Sequence, residues 1–86
     1  MDKAVLKDFR HRVVGRRETL KQIRRGARAV YVARDADTAI VREIEERSRA
    51  NQIPIYYVDS MQELGQLCGI EVGAACAAVS RGAPGN

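Results

Sequence analysis

The chain holds one segment whose residue types suit direct chemistry with an anion: Gly15-Arg16-Arg17-Glu18-Thr19-Leu20-Lys21, continued by Arg24 and Arg28. Arg17, Lys21, Arg24 and Arg28 recur at spacings of four, three and four, which stacks them on one side of a helix, while Leu20, Ile23 and Ala27 fall on another. A glycine feeding such a helix leaves its first amides, and the partial positive charge they carry, open to a phosphate. Arginine can donate two bonds to guanine O6 and N7, and lysine reaches the same edge or a phosphate. Glu18 is the odd member, because an acid weakens any purely electrostatic attraction to phosphate. Two readings stand side by side. As a base reader, its carboxylate accepts from the amino and imino hydrogens of a guanine whose Watson–Crick edge is free. As a helix residue, it is the third position after a Gly15 cap, where acids are favoured in any case.

Elsewhere the chain offers no reaction. His11 is the sole histidine, no nucleophile is placed beside it by a recognisable motif, and there is no metal-ligand spacing or glycine-rich nucleotide loop. No cofactor, metal or enzymatic activity is expected. Asp35 and Asp37 are compatible with a divalent cation, but capping of the helix that follows is the favoured reading. Cys68 and Cys76 sit in apolar stretches and read as reduced core thiols ahead of a redox pair or metal ligands.

The charge is split unevenly. Residues 1–34 carry eleven Lys/Arg against three acids, and residues 35–86 four Arg against eight acids, so +8 and −4 sum to the net +4. Between Arg10 and Arg28 there are eight basic residues and one acid. That density implies an anionic partner, nucleic acid before an anionic membrane surface, against the plainer reading of a solvated helix face. No run of ~18 apolar residues and no signal-peptide pattern is present, so the expectation is a cytoplasmic protein that does not span a membrane. A monomer is expected, though no sequence feature fixes the oligomeric state.

The elements that must position these residues follow from periodicity and punctuation. A short helix is expected within Asp2–Phe9, with Val5, Leu6 and Phe9 on one side. A short strand at Arg12–Val14 ends at Gly15, and a helix over Arg16–Arg25 ends at Gly26. Ala29–Ala33 is a buried strand. An Asp35-Ala36-Asp37-Thr38 cap opens a helix to about Ala50, whose outer face mixes Arg42, Glu43, Glu45, Glu46, Arg47 and Arg49. Pro54 leads into a strand at Ile55–Val58. Ser60-Met61-Gln62-Glu63 is a capping box for a helix ending at Gly69, with Leu64, Leu67 and Cys68 turned inward. The alanine-rich stretch Ala74–Val79 suits either helix or strand, and its length favours strand. Such alternation in 86 residues implies one α/β domain over residues 1–80, a three-layer α/β/α sandwich, followed by a flexible tail at 81–86.

Taken together, Gly15-x-x-Glu18-x-x-Lys21-x-x-x-x-Gly26, Ala33-Arg34-Asp35-Ala36-Asp37, Ile53-Pro54 and Glu63-Leu64-Gly65-x-x-x-Gly69-Ile70-Glu71-Val72 resemble the kink-turn-binding ribosomal protein family of the L-seven-Ae type, which includes small bacterial members. The resemblance spans about Val14 to Val79. It implies a four-stranded mixed sheet in the sandwich. It also implies a ligand: structured RNA, in ribosomal RNA or an mRNA leader, in which a three-nucleotide bulge adjoins tandem sheared G·A pairs. Sheared pairing frees guanine edges, which would give Glu18 its acceptor role. The family pattern places Arg17, Glu18 and Lys21 at the G·A guanines and the Ile70-Glu71-Val72 loop over a bulged base. Gly15 and Arg16 at the helix start join them as RNA-binding candidates, and Arg24 and Arg28, further along the helix, are expected to reach the backbone and not bases. For Ile70 and Val72 ordinary core packing is the alternative. Archaeal members usually carry asparagine at the place of Arg17 and a small residue at that of Arg16. The two arginines here keep donor capacity but trade geometry for charge, so lower selectivity for the motif is expected. Two other readings remain: a less selective binder of structured RNA or the ribosome, and a protein-interaction module using the mixed-charge helix Thr38–Ala50.

Overall fold

The structure, a computed structural model, describes residues 3–83. Its elements in chain order are a 3-10 helix at Lys3–Lys7, β1 (Arg12–Val14), α1 (Arg16–Arg24), β2 (Ala29–Ala33), α2 (Thr38–Ala50), β3 (Ile55–Val58), α3 (Met61–Cys68) and β4 (Cys76–Val79). The sheet order is β1-β4-β2-β3, with β2 and β3 parallel and the other pairs antiparallel, which is the mixed four-stranded sheet expected. A parallel neighbour requires a crossover, and α2 supplies it.

Alternation along the two inner strands divides the core into two layers. Ala29, Tyr31 and Ala33 of β2, with Ala77 and Val79 of β4, face Leu6 and the α3 residues Leu64 and Cys68. Val30 and Val32, with Cys76 and Ala78, face Ile23 of α1 and Ile44 of α2. Helices thus cover both faces of the sheet, and every residue of β2 and β4 is buried. The small side chains of β4 are what the centre of a close-packed three-layer domain demands. Ala74–Val79 is therefore resolved as a strand entered at Cys76.

Three local expectations are corrected. The N-terminal helix is a five-residue 3-10 turn, and of its expected inward side only Leu6 is fully buried; Phe9 is 75% exposed. The cause is Asp8, whose amide bonds to the Val5 carbonyl while its carboxylate receives the Arg10 amide and the His11 ring, turning the chain outward there. Asp37 caps α2 through the Ala39 amide, but Asp35 accepts from the amide of Met61 and so ties the β2–α2 loop to the start of α3. Finally, the packed chain runs past residue 80: Arg81–Ala83 make a turn, and Ala83 is buried. Residues 84–86 of the expected tail lie outside the described residues.

Candidate nucleic-acid interface

One end of the sheet collects the functional candidates because of strand direction. Val14, at the end of β1, pairs with Ala77 near the start of β4. Consequently the N-terminus of α1 and the loop that leads from α3 into β4 emerge from adjacent strands at the same end. The Gly15 amide donates to the Cys76 carbonyl at 2.9 Å, which fastens the two together. This brings the Gly15–Lys21 segment and the loop that carries Ile70–Val72 to the same end of the sheet.

Gly15 takes φ +99° and ψ 162°, a region that side-chain-bearing residues rarely adopt, and open space lies where a Cβ would stand. Its carbonyl accepts the Thr19 amide and starts α1, yet no side chain caps the helix. The amides of the first turn thus face outward without a protein partner from a cap. This geometry also bears on the two readings of Glu18. A capping box would need the Glu18 carboxylate to reach back to the Gly15 amide, and that amide already belongs to Cys76. Glu18 instead lies exposed, 3.7 Å from Lys21 Nζ, a contact between half-exposed groups that contributes little to folding. A favourable charge–dipole effect is all that remains of its helix role.

The cation count shrinks once partners are assigned. Arg12 is structural: its guanidinium donates to the carbonyls of Leu6 and Cys68, clamping the 3-10 turn to the end of α3. Arg10 leans on Asp8. Arg16 Nε donates to Glu43 of α2 at 2.7 Å. Arg28 does not continue the α1 stripe, because the helix stops at Arg24 and Gly26 redirects the chain at φ +85°. Half-buried, Arg28 donates to the Ala83 carbonyl at 2.8 Å and pins the C-terminal turn. That bond gives Arg28 a packing role at the C-terminal turn. Arg17, Lys21 and Arg24 are exposed, and among them only Lys21 has an ionic neighbour among the described residues.

The Ile70–Val72 loop is held on α3 by backbone contacts. The Ile70 amide donates to Gly65 and the Ala74 amide to Met61. A Cβ on Gly65 would stand 2.1 Å from the Val72 carbonyl, so a mid-helix glycine is what lets the loop lie this close. The loop's three residues split. Ile70 is half-buried and packs against the α3-side core, whereas Glu71 and Val72 are exposed, Val72 at 69%. Together with Asp35, Met61, Gln62 and Gln66 they border an open hollow of about 370 Å³. Sequence spacing does not place Asp35, Gln62 and Gln66 beside this loop, because their common neighbourhood is created by the sheet.

Cys68 and Cys76 are buried and unlinked, and burial pushes both thiols above their ordinary ionisation range, as core thiols require. No helix among the described residues is long and apolar enough to cross a membrane.

Residues 3–83 match the model of the ribosomal protein L7Ae/L30e/S12e/Gadd45 family. An RNA-binding protein of Caldanaerobacter subterraneus subsp. tengcongensis is 48% identical over 68 residues, 78% of this chain and 83% of its own. One from Halalkalibacterium halodurans is 43% identical over 70 residues, 80% of this chain and 85% of its own. The solved Giardia lamblia 15.5kD RNA binding protein superposes with a TM-score of 0.83 at 27% identity, covering 92% of this chain and 70% of that one. With all of the described residues matched, this protein belongs to the L7Ae/L30e/S12e/Gadd45 family.

Proposed function

We propose that this chain is a structured-RNA-binding protein that recognises kink-turns, meaning tandem sheared G·A pairs beside a bulge, in ribosomal RNA or an mRNA leader. The observation that carries the reading is the state of the α1 N-terminus. Its helix is uncapped, Gly15 leaves room for close approach, and Glu18 stands exposed between Arg17 and Lys21 with no capping duty to explain it. An acceptor flanked by donors matches a guanine that presents N1–H and N2–H together with O6 and N7. The exposed Val72, beside a hollow on the same end of the sheet, supplies an apolar cover for an unstacked base. Relatives described as RNA-binding proteins support the ligand class. Binding of a kink-turn RNA and of a straight duplex with the same stems, measured at one salt concentration, tests the reading. Tighter binding of the kink-turn by tenfold or more is the expected outcome. Equal affinity would leave only the less selective use of the basic face.

A further inference from the structure

Along the sequence the outer face of α2 is a mixture of charges, and the fold sorts that mixture. Glu45 receives the Tyr57 hydroxyl and lies 3.8 Å from Arg49, so these two are occupied with each other and with β3. Glu43 points the other way and holds Arg16 of α1 at 2.7 Å. With Glu43 engaged, Arg47, one turn further along α2, is exposed with no ionic partner among the described residues. Arg47 borders the open groove of about 300 Å³ between α1 and α2, which Arg17, Leu20, Lys21 and Arg24 line from α1. Counting Arg16, the groove is lined by five cations and one carboxylate, Glu43.

We propose that this groove is a track for the phosphate backbone of the duplex flanking the RNA's recognition site, with Arg47 of α2 a direct phosphate contact and Glu43 a specificity-determining residue. The occupant follows from charge: a groove lined by four arginines, a lysine, one carboxylate and Leu20, with a net formal +4, complements a polyanion. Glu43 acts by confining Arg16. A bound guanidinium holds one direction and cannot wander to arbitrary phosphates, so attraction to any duplex is lowered while the α1 N-terminus keeps its geometry. Two residues on one helix, four apart, thus work with opposite signs. The inference rests on RNA being the ligand and adds α2 to a surface otherwise made by α1 and the loop before β4.

The test uses the full chain, a kink-turn RNA with long stems and a straight duplex of the same composition, each titrated across salt. Removing one phosphate contact lowers the slope of log K against log salt by ~0.9. Arg47→Ala is expected to show that loss on both RNAs, with affinity down about three- to tenfold at low salt, and Arg47→Lys to restore most of it. Glu43→Gln is expected to tighten straight-duplex binding by a similar factor while leaving the kink-turn within about twofold, which reduces discrimination. Arg42→Ala, an exposed cation of α2 that does not border the groove, serves as the control and is expected to change neither slope. An unchanged slope in Arg47→Ala, or equal losses at Arg42 and Arg47, would overturn the track. Failure of the wild type to prefer the kink-turn would count against the proposed function instead, since the slope change at Arg47 is read on either RNA.

Discussion

Replacing Val72 by alanine separates two roles that the sequence left open for the loop before β4. Val72 keeps 69% of its surface in solvent, so the folded chain gains little from its side chain. Truncation removes two methyl groups, worth ~0.8 kcal/mol each when fully buried. If RNA covers the exposed fraction, about two-thirds of that sum is lost on binding, ~1.1 kcal/mol or roughly a sixfold weaker Kd. The same change should leave the melting temperature within about 1–2 °C, because little surface leaves the core. Ile70 gives the contrast: half-buried against the α3-side core, Ile70→Ala should lower stability by about 1–2 kcal/mol and shift the melt by several degrees. The assay is a kink-turn titration and a thermal melt of both variants and the wild type. A Val72→Ala protein with unchanged affinity would refute the covering role. One that melts many degrees early would assign Val72 to packing, against its exposure.

Further outcomes follow from the partner assignments. With Arg17, Lys21, Arg24 and their neighbours engaging about four to five phosphates, log K against log salt should fall with a slope of roughly −3 to −5; a slope near zero would remove the electrostatic account. Arg28→Ala should cost about 1 kcal/mol in stability through its bond to the Ala83 carbonyl, with RNA affinity nearly unchanged, and a large affinity loss without a stability loss would return Arg28 to the interface. Gly65→Ala should displace the Val72 carbonyl from α3, lowering the melting temperature and kink-turn affinity together; a wild-type melt would show that the 2.1 Å approach relaxes freely. Burial raises both thiols above their ordinary value of 9.0. Ionisation then favours the unfolded chain, so their contribution is complete below that pH and fades as pH rises beyond it. Native protein at pH 8 should therefore label with a thiol reagent only on unfolding, and rapid labelling of the native state would contradict the burial.

Much of the fold was legible because its signals are local. The apolar run Ala29–Ala33, the Asp37 and Ser60 caps and the Gly69 stop each act within a few residues, and each is found where expected. The Asp8 turn was not, because a 3-10 turn broken by an aspartate leaves an apolar pattern too short to tell from an α-helix. The site was legible in its types and not in its partners. Spacing placed Arg28 in the basic stripe, but one glycine redirected it, and the C-terminal turn that claims it lies 55 residues away. Charge density along Arg10–Arg28 likewise counted Arg12 and Arg16 as available, while Cys68 and Glu43 hold them across the fold. Gly65 was visible only as part of a pattern. Its reason is the Val72 carbonyl, a neighbour that a helix cannot announce.

The central claim is that Glu18 reads a base, and Glu18→Ala tests it because the competing accounts differ in sign. If Glu18 is merely the lone acid of the basic Arg10–Arg28 segment, its removal adds positive charge and frees Lys21 from its 3.7 Å neighbour, so binding to every RNA should tighten. As an acceptor for a sheared guanine, its loss leaves buried donors unpaired and costs about 1–3 kcal/mol on the kink-turn. Any loss of helix stability, a few tenths of a kcal/mol, is read separately in a melt. The measurement is a paired titration of wild type and Glu18→Ala against a kink-turn and a matched straight duplex at one salt concentration. The account expects kink-turn affinity to fall by about 5- to 150-fold while duplex affinity holds or rises. Tighter binding of the variant to both RNAs would contradict it.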